Sequence, residues 1–216
     1  MIRRDYTSAL AELSASEGVF TTAQAARFDI PRNVLAKACA TSKLERVAHG
    51  AYRSAFNPAQ QTDELAAIWK LTAPGKLSHE RMKRGDWDGV AIGGTTAAAL
   101  LDIGDFYLSP YRIFAPKRFN TRNPDAHFGI RHINRDDISF AHGIPVTKTE
   151  RTLVDLVLDN EDPSLIQNAY SDALQSDLSE AKLAQLVETE CKGRHSKIAR
   201  EIFGKGHHAL QIGTSA

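Results

Sequence analysis

Residues 19–53 read VFTTAQAARFDIPRNVLAKACATSKLERVAHGAYR, and the order of signals in this stretch decides the fold expected at the head of the chain. Thr21 with Gln24 three residues later fits a capping box, and Phe20 stands where a hydrophobic staple residue would. Ala25, Ala26 and Phe28 supply small, close-packing contacts on that helix. Asp29-Ile30-Pro31 then breaks it, and Pro31 suits the first position of the next helix because its missing N–H would have no partner there anyway. Over Pro31 to Ala40, the 3.6-residue period turns Val34, Leu35 and Ala38 inward and leaves Arg32, Asn33, Ala36 and Lys37 outside. Lys43 to Val47 alternates like a strand, Ala48-His49-Gly50 can turn, and Ala51 to Arg53 can return as a second strand. Two short helices, a tight turn and a hairpin make a winged helix-turn-helix.

The outward side chains of the second of these helices suit a DNA groove. Arginine pairs with guanine edges and asparagine with adenine edges, while lysine more often takes phosphate. Arg32, Asn33 and Lys37 are therefore the candidate readers, with Thr22 at the start of the preceding helix as a further contact. Lys43, Arg46, His49 and Arg53 would decorate the wing beside the phosphate backbone. Residues 27–53 carry 6 Lys/Arg against 2 Asp/Glu, the electrostatic footprint of a phosphate-binding module. The competing reading is that the winged helix docks a protein, since fold does not fix function.

Upstream, apolar Tyr6, Leu10 and Leu13 have helical spacing over Arg4 to Ser16, with Gly18 as the expected left-handed cap. Downstream, Asn57-Pro58 reads as a hinge. Asp63 to Leu71 is a helix with Leu65, Ile68 and Trp69 on one side, and Lys76 to Asp88 is a loop or irregular helix. Val90 to Ile92 is a short strand, and Gly93-Gly94-Thr95 turns the chain into an alanine-rich helix, Thr96 to Leu101. Further strands are expected at Tyr111 to Ala115, Phe128 to Ile133, Asp137 to Phe140 and Ile144 to Val146. Thr147 to Glu150 offers a capping box for a helix carrying Leu153, Leu156 and Val157. Arg151 and Asp155 lie four apart on it, a weak support if exposed and a structural constraint if buried. Helices over Leu165 to Leu174 and Leu178 to Val187 follow, the second capped at Asp177 or Ser179, and a last short helix lies around Ile198 to Phe203.

The fold class expected is α+β: an N-terminal winged helix-turn-helix, then a mixed α/β domain with a small sheet and C-terminal helices. The domains expected are residues 1–57, residues 58–190 and a basic tail, residues 191–216.

Apolar content of 42% and charged content of 25% are ordinary for a chain with a proper core. The net charge of +1 conceals a division. Residues 1–57 carry 8 positive against 5 negative side chains, residues 58–149 carry 12 against 10, residues 150–190 carry 2 against 10, and residues 191–216 carry 5 against 1. No apolar run approaches the roughly 20 residues that span a bilayer. Met1 to Asp5 has no apolar segment behind its charges, so no signal peptide is expected. Cys39 and Cys191 read as free thiols of a reducing cytoplasm.

Enzyme chemistry finds little purchase. Gly93-Gly94 followed by Asp102 and Asp105 faintly evokes the turn and paired acids with which nucleotidyltransferases hold magnesium and a triphosphate. Both carboxylates must project to one side for that. Here Asp102 sits at a helix end, and the residue two beyond Asp105 is Tyr107. His127, His132 and His142 have no Cys or acid at metal-ligand spacing. No catalytic residue, metal or cofactor is expected.

Taken together, GVFTTAQAARFDIPRNVLAKACATSKLERVAHGAYR (18–53), IGGTTAAALLDIGD (92–105) and GIPVTKTERTLVDLV (143–157) resemble the AbiEi antitoxin family of type IV toxin–antitoxin systems, linked to abortive phage infection. The similarity runs from about Val19 to Leu174, and ERTLVDL is its most specific part. The chain departs from the pattern at Lys148-Thr149, where Ser-Pro is common, and at Asp102, where Gly is. The resemblance implies a winged helix that represses its own operon at promoter repeats. It also implies a second domain that counteracts a nucleotidyltransferase-like toxin, often without a stable complex. An orphan regulator without a toxin, or an interaction module, are the alternatives it leaves open, and it does not imply an oligomeric state.

Overall fold

A computed structural model describes residues 6–204. The expected helix start at Arg4 and the end of the basic tail lie outside the described residues. Two compact units emerge: the first runs to Asp88 and takes in His142–Ile144, and the second comprises Gly89–Ala141 and the chain from Pro145 on.

The first unit opens with α1 (Thr7–Glu17), closed by Gly18, whose N–H donates to the Ser14 carbonyl as a C-cap does. Then come β1 (Phe20–Thr21), α2 (Thr22–Arg27), α3 (Arg32–Ala40), β2 (Leu44–Ala48) and β3 (Ala51–Ser54). The strands form an antiparallel sheet in the order β1-β3-β2, with Phe20 opposite Tyr52 and Glu45 opposite Arg53. A register shift between Arg46 and Ala48 bends the hairpin, and Gly50, at φ 84°, supplies the left-handed turn residue. Leu13, Phe20, Ala25, Ile30, Leu35, Ala38 and Leu44 form the core beneath it.

This is the winged helix-turn-helix the sequence predicts, with three differences. Phe20–Thr21 is also a strand, which two residues cannot announce by periodicity. Pro31 is the N-cap of α3, at extended φ −77° and ψ 157°, rather than its first helical residue. The third concerns Asn57-Pro58, where the sequence reading places a boundary: the packing unit continues through α4 (Asp63–Leu71) and α5 (Ser78–Met82). The reason is a buried ion pair. Lys70 on α4 is paired with Glu17 at the end of α1, and Ser78 donates from its hydroxyl to the same carboxylate at 2.6 Å.

The remaining strands, β4 (Ala91–Ile92), β5 (Tyr111–Ala115), β6 (Ala126–Ile130), β7 (Ile138–Ala141) and β8 (Ile144–Thr147), form a sheet in the order β6-β5-β4-β8-β7. β4 pairs antiparallel with β5 and parallel with β8. β6 lies two residues ahead of its expected start because it pairs parallel with the whole of β5, Tyr111 opposite Ala126 through Ala115 opposite Ile130. The helices of the second unit are α6 (Gly94–Leu100), α7 (Thr149–Leu158), α8 (Pro163–Leu174), α9 (Glu180–Glu190) and α10 (Arg194–Phe203).

Leu153, Leu156, Ile166, Tyr170, Leu183, Leu186, Ile202 and Phe203 share one core. The described part of the expected basic tail is thus a packed helix, and the Tyr170 hydroxyl donates to the Phe203 carbonyl at 3.1 Å. The capping box expected at Thr147 does not form: no side chain caps α7, the Thr147 and Thr152 hydroxyls bond to each other at 2.7 Å, and Glu150 accepts from the Ser179 backbone at 2.8 Å.

Candidate nucleic-acid interface

The geometry of the head is fixed from inside. Gln24, fully buried, accepts from the Thr21 N–H at 2.8 Å, while the Thr21 hydroxyl accepts from the Gln24 N–H at 3.0 Å. The Gln24 amide donates onward to Glu17 at 3.1 Å and to the Lys76 carbonyl at 2.8 Å. The capping box thus does more than begin α2; it ties that helix to α1 and to the chain before α5. Thr22 then donates its backbone N–H to the Gly50 carbonyl at 2.9 Å, fixing the wing turn against the start of α2.

On α3, Leu35 and Ala38 are buried, and Arg32, Asn33, Ala36 and Lys37 are exposed, as the period requires. These exposed side chains do not share one concavity. A groove of about 760 Å3 between α2, α3 and the wing brings together Thr22, Arg32, Arg46 and His49. A second groove of about 800 Å3, between α1, α3 and the chain around the wing, is lined by Asn33, Lys37 and Lys43. The candidate residues therefore form two groups flanking the exposed ridge of α3.

Arg46 and His49 form a unit at the wing turn: a guanidinium nitrogen lies 2.6 Å from His49 Nδ1. Because arginine has no acceptor, Nδ1 must be the accepting, unprotonated nitrogen in this geometry. The pair offers the outward side of a guanidinium whose other face is held. Arg53 is placed differently. Its guanidinium pairs with Glu45, donates to the Asn57 carbonyl at 2.7 Å and lies 3.5 Å from Asp63. Arg27 is likewise engaged, forked onto both Glu80 oxygens at 2.6 and 2.7 Å, an arrangement that holds the Glu80 carboxyl down to about 2.

Sequence reasoning missed the Glu17–Lys70–Ser78 cluster that steadies this head. No local pattern signals it, because Lys70 stands in the last turn of a helix whose positions 65–69 are all buried only in the folded chain.

Asp102 and Asp105 do not form the paired-acid arrangement of a nucleotidyltransferase. Asp102 and Asp105 are exposed on the loop after α6 instead of alternating on a strand, and Asp102 has left-handed φ 55°. His127, His132 and His142 are exposed. Charge is concentrated elsewhere. Asp155 accepts from Arg151 at 3.0 Å and from Arg131 at 2.8 Å; Arg131 also donates to Asp159 at 2.8 Å, and Arg112 donates to Asp159 at 3.0 Å. The i,i+4 pair Arg151–Asp155 is fully buried, so of the two readings open for it, the structural constraint is the one that applies. Burial pushes the Asp155 carboxyl up to about 6 against the pull of Arg151 and Arg131.

Residues 8–55 match the family described as "Transcriptional regulator, AbiEi antitoxin", so the resemblance read from the sequence is met over the winged helix and α1. Among the curated proteins none matches the chain. Among solved structures, the RV2827C protein from Mycobacterium tuberculosis is similar in fold, with a TM-score of 0.57 at 15% identity over 93% of this chain and 76% of that one. Among the described residues, no helix is long and apolar enough to cross a membrane.

Proposed function

We propose that this chain is a cytoplasmic DNA-binding repressor and antitoxin that acts on the promoter of its own operon without a cofactor. The observation that carries the proposal is a coincidence of location. The segment matched by a family of transcriptional regulators, residues 8–55, is the segment that presents exposed Arg32, Asn33 and Lys37 on α3 beside a cationic wing. Arg32 and Asn33 would read base edges from the major groove, with Thr22 and Lys37 orienting the helix on the backbone. Lys43, Arg46 and His49 would hold phosphates. Arg53, engaged by Glu45 and the Asn57 carbonyl, is better suited to positioning the wing than to touching DNA.

The second unit would carry the antitoxin activity against a nucleotidyltransferase-like toxin, as the resemblance implies. Asp102 and Asp105 lie on the loop after α6 and do not alternate on one strand, which supports a body that opposes such an enzyme over one that uses these acids as such an enzyme would. Two experiments test the two halves. Labelled DNA from upstream of the gene should shift in a salt-sensitive manner at physiological ionic strength, and a chain that leaves it unshifted is not its repressor. Growth arrest by a co-expressed neighbouring nucleotidyltransferase should be relieved by the full chain, and unrelieved arrest removes the antitoxin half.

A further inference from the structure

The groove beside α1 has properties that DNA contact does not use. Leu10, Val34, Ala38 and Leu44 line it, and Phe56 stands on its rim 79% exposed. Among the described residues, Lys37 and Lys43 are its only charged lining residues, and no carboxylate lines it. Its walls are helical on two sides: α3 spans roughly 13 Å, a little over two turns, and α1 runs along the other side. An apolar trough between two helices with cations at the edge is the complement of an amphipathic helix with acidic flanks.

We propose that this groove docks an acidic amphipathic helix of a partner protein, and that the docked helix and DNA exclude each other. The exclusion rests on the DNA-binding reading, because Asn33 and Lys37 line the groove and are also the side chains assigned to DNA. Such a partner would lift the repressor from its site by occupying the same lysine and asparagine. Charge decides between occupants. A second copy seated groove to groove would bring two Lys37 and two Lys43 side chains together with no carboxylate among the described lining residues to pair them, which is unfavourable. The acidic helices of this chain, α7 to α9, do not qualify, since their apolar faces already form the core of the second unit.

The probe is a labelled synthetic helix of about 14 residues, with leucines at i, i+3, i+4 and i+7 and glutamates on the flanks. Its counterpart carries lysines in place of the glutamates. Both are titrated with the full chain, without DNA, by fluorescence anisotropy. The glutamate peptide should bind at least about tenfold more tightly than the lysine peptide, and Phe56→Ala should weaken it by about fivefold or more. Phe56 is exposed, so the variant should melt like the parent. Equal binding of the two peptides, or binding indifferent to Phe56→Ala, overturns the docking site. A concentration-dependent dimer in sedimentation that Phe56→Ala abolishes would also overturn it, by giving the groove to a second copy. Saturating glutamate peptide should displace promoter DNA. Simultaneous binding of both overturns the exclusion, while failure to bind DNA without peptide is a failure of the repressor reading alone.

Discussion

Arg53 and Glu45 face each other across the wing hairpin, and their side chains pair there rather than reaching outward. With the Asn57 carbonyl also accepting from Arg53, this arginine ties the wing to the chain that leaves it. Lys43, exposed, has no ion pair among the described residues. The two cations should therefore behave differently in salt titrations. Lys43→Ala should lower the slope of log affinity against log salt by about one phosphate's worth. Arg53→Ala should weaken binding through a loosened wing and leave the slope unchanged. Equal loss of slope in both variants would return Arg53 to the phosphate contacts.

Glu17 and Lys70 are 2% and 4% exposed, so each depends on the other for its charge. Burial depresses the Lys70 pKa, and the hydrogen bond to Glu17 opposes that. Removing one partner strands the other in the interior, at a cost of about 3–5 kcal/mol, whereas replacing both is often close to neutral. Lys70→Met should therefore be severely destabilising in urea unfolding, and Glu17→Gln with Lys70→Met should recover much of the loss. A single variant no worse than the double would show that the pair does not hold α4 to the winged helix.

Asp155 gives a pH dependence of defined sign. Its carboxyl has an ordinary value of 3.8 and is pushed up to about 6 in the folded chain. Between those values the native state holds a proton that the unfolded chain has released. The contribution is thus complete below about 3.8 and is lost as pH rises through about 6, a difference of about 3 kcal/mol. Unfolding midpoints of the parent, compared with those of Asp155→Asn between pH 4 and pH 7, isolate it. The parent should lose stability relative to the variant as pH rises. Parallel curves would mean that Arg151 and Arg131 keep Asp155 ionised across the range.

Much of the head was legible because its signals are local. The Thr21–Gln24 box, the Gly18 cap and the α3 period each act within a few residues, and all appear in the structure. Asp63 to Leu71 was legible for the same reason. What escaped was set by distant partners. Lys70 meets Glu17 across 53 positions, and nothing nearby marks it as buried. The wing cations looked equivalent until the register placed Arg53 opposite Glu45 and the irregularity after Arg46 left that side chain beside His49. Thr147 had the spacing of a cap, but Thr152 offered its hydroxyl a buried partner instead. Arg151 and Asp155 were visible as a pair, whereas Arg112 on β5 and Arg131 just past the end of β6 reach the same cluster from segments no periodicity connects to α7.

The central claim is that α3 reads bases, and the ratio of affinities for the cognate promoter site and a scrambled duplex tests it most directly. Measured at one fixed salt concentration for the parent, Arg32→Ala and Asn33→Ala, cognate binding should weaken by about 1–3 kcal/mol in each variant while scrambled binding changes far less. The ratio should then fall toward one. Equal losses on both duplexes would make these residues phosphate contacts at most and contradict base reading by this helix.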